Sequence, residues 1–162
     1  MRVKAVFQDI KKVEAQALVV GCYEDVRPLK GLAGEIDWLL CGALSQLLLA
    51  ERFRGSAGEL ALLTPRGKLP VEKIFLVGLG PALPDPLEAI RPFARTAARA
   101  LAGAGVTSSA VENIAPPGAD DAAAVRSLQE GLREGNGGAG LDVLLLARDA
   151  AAYERIARLL NG

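Results

Sequence analysis

The chain has 162 residues, of which 51% are hydrophobic and only 4% aromatic, so it can bury one core built mainly from aliphatic side chains. Its 19 basic and 19 acidic residues cancel, which leaves no positive field of the kind that nucleic acids and anionic membranes require. The sequence contains no histidine, and this excludes Ser-His-Asp and Cys-His catalysis and every zinc site that needs a nitrogen ligand. A net charge of zero also gives little repulsion between copies, so self-association is plausible.

The first part of the chain predicts two strands followed by the strongest helix of the sequence. Apolar and polar residues alternate from Val3 to Phe7, and residues 17–20 form an apolar run typical of a strand covered on both faces. After a polar loop, apolar residues recur at helical spacing from Ile36 to Leu48, which predicts one helix. A second stripe on this helix includes Trp38 and continues to Leu49, so we expect contact on more than one side, for example with another subunit.

The rest of the chain alternates strand and helix patterns. Strands are expected over residues 59–63, 73–79, 106–114 and 142–147, and helices over residues 93–101, 119–134 and 149–160. Asp85-Pro86 with Glu88 has the pattern of a helix start, which Pro92 moves about a turn later. Helices between strands require a mixed, mainly parallel sheet with helices on both faces. The sequence therefore predicts a single three-layer α/β/α domain over residues 1–162.

Glycines near the ends of predicted strands are the first candidates for a ligand site. Gly31 and Gly34 precede the long helix, where backbone N–H groups and the helix dipole can hold a phosphate, although four carboxylates flank them. Gly78 and Gly80 end a strand at the carboxyl edge of the sheet, where open α/β sheets place ligands. They lack the later glycine of a dinucleotide fingerprint. At both places the alternative is a plain turn.

Other groups with chemical potential favour structural roles. The two cysteines form no CxxC pattern, and Cys22 reads as a packed thiol. Asp120-Asp121 at a helix start is typical of a cap. A stripe of arginines is most simply a solvated helix face: Arg91, Arg95 and Arg99. We therefore expect no catalytic residue, no metal site and no cofactor.

Several segments, taken in order, resemble a known family. They are Ala15–Gly21, Asp37 in the following helix, Phe53-x-Gly55-x-x-Gly58-Glu59, Lys73–Gly80, Arg91, Ala97-Ala98, Leu101 and Glu130–Leu132. This series is similar to the N-terminal domain of the cytosolic leucyl aminopeptidases, the hexameric two-metal family, and its most specific part is the stretch that ends in Val77–Gly80. In that family the metals and the substrate pocket belong to a separate C-terminal domain, whose Asn-Thr-Asp-Ala-Glu-Gly-Arg run is absent here.

The resemblance implies a cytoplasmic, stand-alone and non-catalytic relative. Because this domain helps to assemble the hexamer of the complete enzymes, it implies action through self-association or through docking to a partner protein. Trp38 and Leu49 are the interface candidates. Whether the chain is a natural full-length product or an excised domain stays open, although Met1 favours a natural start.

The same domain has a macro-domain-like fold, and a second resemblance follows from it. Asp9-Ile10 and the strand Ala17–Val20 are similar to the opening of ADP-ribose-binding macro domains, in which an aspartate before an isoleucine recognises adenine. Gly21–Glu24 stands in place of their Asn-rich loop. The alternative function is thus binding of a nucleotide or ADP-ribose at the carboxyl edge of the sheet, through Asp9 and the four glycines named above.

Overall fold

A computed structural model describes residues 1–162 and contains one mixed sheet of six strands. The strands are β1 Arg2–Val6, β2 Ala17–Tyr23, β3 Leu60–Leu63, β4 Lys73–Gly80, β5 Ser108–Glu112 and β6 Asp142–Leu146. Their order in the sheet is β1-β6-β5-β2-β4-β3, and only the β3–β4 pair is antiparallel. The predicted mixed, mainly parallel sheet is therefore confirmed.

Helices cover both faces of this sheet. The helices are α1 Gly31–Leu39, α2 Ala43–Leu49, α3 Ile90–Gly103, α4 Asp121–Asn136 and α5 Ala150–Asn161, with 3-10 turns at Ile10–Lys12 and Pro86–Ala89. Successive side chains of a strand point to opposite faces, so Val19 joins the core under α3, α4 and α5 while Leu18 and Val20 join the core under α1 and α2. Two aliphatic cores separated by one sheet make the three predicted layers.

The single helix predicted from Ile36 to Leu48 is wrong, because the chain forms two helices bent by 105°. Cys41 and Gly42 adopt left-handed backbone angles, with φ of 54° and 87°, and turn the chain between α1 and α2. No single helix of the chain is long and apolar enough to span a membrane; only α1 and α2 taken together pass that test of length and composition. Asp37 of α1 connects the two helices through Ser45 of α2. The Asp37 carboxylate accepts a hydrogen bond from the Ser45 N–H at 3.0 Å and another from the Ser45 hydroxyl at 2.5 Å.

The helix starts marked by aspartates are confirmed. Asp85 accepts the N–H of Leu87 and begins the 3-10 turn that leads into α3. Asp120 and Asp149 cap α4 and α5 in the same way, accepting N–H groups three residues ahead. Pro92 lies in the first turn of α3, where proline costs no intrahelical hydrogen bond.

Helices α3 and α4 pack closely through glycines of α4. A Cβ atom at Gly131 would lie 2.3 Å from the carbonyl oxygen of Arg91, and one at Gly135 would lie 2.2 Å from that of Arg95. The side chains of both arginines reach across this contact to the carboxylate of Glu134. The predicted arginine stripe is therefore not simply solvated, because two of its members join α3 to α4.

Candidate functional site

A cleft lies beyond the carboxyl ends of β2, β5 and β6, at the edge where open α/β sheets bind ligands. The part on the side of Asp9, which we name the outer part, has a volume of about 800 Å³, and the part on the side of Cys22, which we name the inner part, has a volume of about 460 Å³. Four residues line both parts: Gly31, Glu112, Asn113 and Arg148. We call this cavity the edge cleft. The first turn of α1 forms one wall, and the segment that follows β6 forms another.

Glu112, the last residue of β5, carries the most unusual side chain of the edge cleft. One carboxylate oxygen accepts the N–H of Gly21 at 2.9 Å, and the backbone N–H of Leu32 also favours the charged form of the carboxylate. Burial disfavours the charged form and raises the pKa of Glu112 to about 7, against the opposing effects of these two N–H groups and of the Arg148 charge. At neutral pH this carboxyl group therefore exists in both protonation states.

The sequence reasoning did not find Glu112. Residues 106–114 show only the pattern of a strand, and the one local signal is a carboxylate directly after the apolar pair Ala110-Val111. Nothing in that local pattern indicates that Gly21 and Leu32, about 80 to 90 residues earlier, supply the N–H groups around it.

Cys22 and Tyr23 lie at the end of β2 and face the inner part of the edge cleft. Burial is the main cause that raises the pKa of the Cys22 thiol, and the Glu112 charge adds to it while Arg27 opposes it. Burial and the same carboxylate also raise the pKa of Tyr23. A buried thiol held in its protonated form is a poor nucleophile, as the prediction of a packed thiol requires. No group of three or more Cys, Asp or Glu side chains could hold a metal ion.

Of the predicted ligand residues, Asp9 and Gly31 lie in the edge cleft. The Asp9 carboxylate accepts the N–H of Lys11 at 3.0 Å and so caps the 3-10 turn. Gly31 has a left-handed φ of 59° and no atom within 4 Å of the position that a Cβ would take. Gly34 lies outside the cleft, and a Cβ there would lie 2.8 Å from the carbonyl oxygen of Leu29. Its lack of a side chain permits that close backbone approach.

Gly78 and Gly80 are separated from these residues. A Cβ at Gly78 would lie 1.9 Å from the carbonyl oxygen of Ser56, and the N–H of Gly80 donates to Gly55 at 2.8 Å. Neither glycine lines the edge cleft. They allow the segment that precedes β3 to cross the end of β4. The five predicted ligand residues therefore do not form one site.

A second feature is an apolar groove on the outside of α1 and α2, which we call the α1–α2 groove. Trp38 is 81% exposed and Leu49 is 85% exposed, and both line the groove together with Pro28, Leu29 and Leu48. Its volume is about 870 Å³. Large apolar side chains exposed side by side mark surfaces that bind other molecules. These are the two side chains that the sequence indicated as interface candidates.

The polar groups of the α1–α2 groove are already bonded within the chain. The guanidinium of Arg27 donates to the backbone carbonyls of Tyr23, Val26 and Arg54. The Asp37 carboxylate is bonded to Ser45, as described above. Covering the groove would therefore leave neither charged group without a partner.

The sequence and the fold can now be compared with those of known proteins. The model of the cytosol aminopeptidase family, N-terminal domain, matches residues 19–136. The chain belongs to this family. Probable cytosol aminopeptidases from Geobacter sulfurreducens and Geobacter sp. strain M21 are 41% and 44% identical to it over 95 and 85 residues, respectively. These alignments cover 58% and 52% of the chain but only 19% and 17% of the two relatives, so this N-terminal-family chain spans less than a fifth of each.

Solved structures that superpose on this chain include a leucine aminopeptidase and two macrodomains. A tomato leucine aminopeptidase mutant superposes with a TM-score of 0.72 and 20% identity, covering 99% of this chain and 35% of the tomato chain. An Oceanobacillus iheyensis macrodomain with MES bound superposes with a TM-score of 0.75 and 16% identity, over 97% of this chain and 89% of that one. The macrodomain of Mycobacterium tuberculosis DarG gives a TM-score of 0.73 and 14% identity, over 91% and 98%. The predicted macro-like fold is confirmed.

Proposed function

We propose that this member of the cytosol aminopeptidase N-terminal family is non-catalytic and acts through protein contacts, by associating with a second copy of itself. The observation that carries the proposal is the α1–α2 groove, with Trp38 and Leu49 more than four-fifths exposed. Tryptophan is among the side chains that contribute most to interface energetics when it enters a pocket on the partner.

A second copy suits the α1–α2 groove because its two charged residues, Arg27 and Asp37, have opposite signs, so the groove has no net charge. Arg27 and Asp37 are bonded within the chain, and the remaining lining is mainly apolar or small. Two identical faces of this kind can meet across a two-fold axis without repulsion between like charges. The net charge of zero also removes the general repulsion that keeps many proteins apart.

Sedimentation velocity over a wide range of protein concentration tests this proposal. We expect the wild-type protein to shift from monomer to dimer, and the double variant Trp38→Ser with Leu49→Ser to need at least about thirtyfold more protein for the same shift. Leu159→Ser on α5 is the matched control, because Leu159 is also apolar and 43% exposed but lies away from the groove. A wild-type protein that stays monomeric throughout, or a double variant that dimerises like the wild type, would refute the proposal.

A second candidate function is binding of a small molecule in the edge cleft. The observation that favours it is the meeting of Asp9 and Gly31 with Glu112 and Arg148 at one edge of the sheet. A mutant of the Oceanobacillus iheyensis macrodomain, similar to this chain with a TM-score of 0.75 and 16% identity, was solved with ADPR. Calorimetric titration with ADP-ribose tests the nucleotide form of this function. Binding that Asp9→Ala abolishes would support it, and unchanged affinity of that variant would remove Asp9 from the site.

A further inference from the structure

The edge cleft already contains an anion of its own. The Glu112 carboxylate accepts the N–H of Gly21 and lies against the first turn of α1 at Leu32, where a bound phosphate would otherwise sit. Asp9 and Glu35 add two more carboxylates to the cleft, and Lys11 and Lys30 add two ammonium groups. A diphosphate placed at the first turn of α1 would lie beside the Glu112 carboxylate and would have to displace it from the N–H of Gly21.

Besides the ammonium groups of Lys11 and Lys30, the edge cleft contains a guanidinium group with donors left for a ligand. Arg148 follows β6 and donates from one guanidinium nitrogen to the carbonyl oxygen of Ala115. It takes part in none of the ion pairs of the chain, and an arginine has five N–H donors. Its remaining donors suit a carboxylate, which arginine binds in a bidentate manner.

Between and behind these charges the cleft is apolar. Leu29, Leu79 and Ile114 line its inner part, together with prolines that follow β5. A volume of about 460 Å³ lies at the small end of the range for small-molecule pockets and has room for one compact ligand. The inner cleft thus offers a carboxylate, a guanidinium and an aliphatic wall.

A ligand that satisfies all three features carries both charges and an aliphatic body. We propose that the edge cleft binds a free α-amino acid with an apolar side chain, whose ammonium group meets Glu112 and whose carboxylate meets Arg148. A carboxylate has about four acceptor positions, of which the N–H of Gly21 uses one, so Glu112 can accept from an ammonium group without losing that bond. This proposal rests on the second candidate function and names its class of ligand.

Calorimetric titration of the whole chain at pH 8, where Glu112 is mostly ionised, tests the proposal with three matched probes. L-leucine carries both charges, 3-methylbutylamine lacks the carboxylate, and 4-methylpentanoate lacks the ammonium group. We expect L-leucine to bind, and each analogue to bind at least about tenfold more weakly because it loses one charge-assisted interaction. L-leucine that binds no better than either analogue would overturn the proposal.

Two variants assign the charges to their residues. Glu112→Gln is expected to weaken the binding of L-leucine at least about tenfold and to leave the binding of 4-methylpentanoate nearly unchanged. Arg148→Met is also expected to weaken the binding of L-leucine at least about tenfold, but it should leave the binding of 3-methylbutylamine nearly unchanged. The matched controls are Glu154→Gln and Arg126→Met, which are exposed and lie outside the edge cleft. Thermal melting checks that each variant is folded. L-leucine binding that neither variant weakens would overturn the proposal.

ADP-ribose separates the failure of this inference from that of the function on which it rests. ADP-ribose binding without L-leucine binding would overturn the amino-acid proposal and keep the edge cleft as a binding site. If none of the four compounds binds, both proposals are overturned.

Discussion

Glu112 makes the stability of this fold depend on pH near neutrality. Its pKa is about 7 in the folded protein, against an ordinary value of 4.5, so between these pH values the folded protein holds a proton that the unfolded chain has released. The unfolding free energy therefore falls as the pH rises from about 4.5 to about 7, and the contribution of Glu112 is constant above that range. The interval spans about 2.5 pH units, and the unfolding free energy falls by about 1.36 kcal/mol per unit within it. The whole decrease in unfolding free energy is therefore about 3 kcal/mol.

Glu112→Gln removes this dependence because glutamine does not ionise. Its amide oxygen can still accept the N–H of Gly21, as the carboxylate does at 2.9 Å. We expect the variant to be about as stable as the wild type at pH 5 and more stable by about 1–3 kcal/mol at pH 8. Urea unfolding followed by circular dichroism at pH 5, 6, 7 and 8 measures the difference directly.

Glu154→Gln is the matched control for this experiment, since Glu154 is an exposed glutamate of α5. It should change the unfolding free energy little at any pH. A difference between Glu112→Gln and the wild type that stays constant from pH 5 to pH 8 would refute the reasoning, as would a variant that is less stable than the wild type at pH 8.

Three further substitutions test the packing and the helix ends, each by thermal and urea unfolding. Gly131→Ala should lower the unfolding free energy by about 2 kcal/mol or more, because its Cβ would meet a backbone carbonyl at 2.3 Å; a neutral effect would mean that α3 and α4 separate easily. Gly103→Ala, where no atom lies within 4 Å, should raise stability by about 0.5 kcal/mol, and a loss would contradict the open space seen there. Asp149→Ala should lower the unfolding free energy by about 1 kcal/mol, because it removes the 2.7 Å hydrogen bond that caps α5. Asp149→Asn should retain most of the stability that the cap provides. Equal losses of stability in the two variants would exclude the cap as the cause.

The sheet could be predicted from the sequence because each strand has a local signal. The run Ala17–Val20 is apolar without interruption, as a central parallel strand requires, and it lies fully buried between β4 and β5. The aspartates before α4 and α5 are equally local, since each bonds an N–H group three residues ahead. Signals that act over a few residues are present in the sequence itself.

The break between α1 and α2 could not be predicted from periodicity. Apolar spacing continues across Leu40–Gly42, and Cys41 takes a left-handed conformation that a residue with a Cβ rarely adopts. The bond from Asp37 to Ser45 holds the bend, and it becomes visible only when the two helices are placed.

The edge cleft was only partly predictable, for a related reason. Asp9 and Gly31 lie there as the resemblance to macro domains implied, but Gly78 and Gly80 serve the packing of a neighbouring segment. Glu112 acquires its properties from burial and from N–H groups far away in the chain, and neither is encoded in the residues next to it. The chemistry of a site assembled from three strands and a helix depends on long-range contacts that a linear pattern does not contain.

The pairing of β1 with β6 has a consequence for synthesis of the protein on the ribosome. Of the six strands of this sheet, β1 leaves the exit tunnel before the others, yet its neighbour in the sheet consists of residues 142–146, and Arg2 forms its ion pair with Asp142. Until those residues emerge, β1 has no place in the sheet, and β5 presents an open edge that includes the buried residues Ala110 and Val111. Such an edge invites pairing with other nascent chains. The interval between the emergence of β5 and that of β6 is therefore the period in which this domain is most exposed to aggregation.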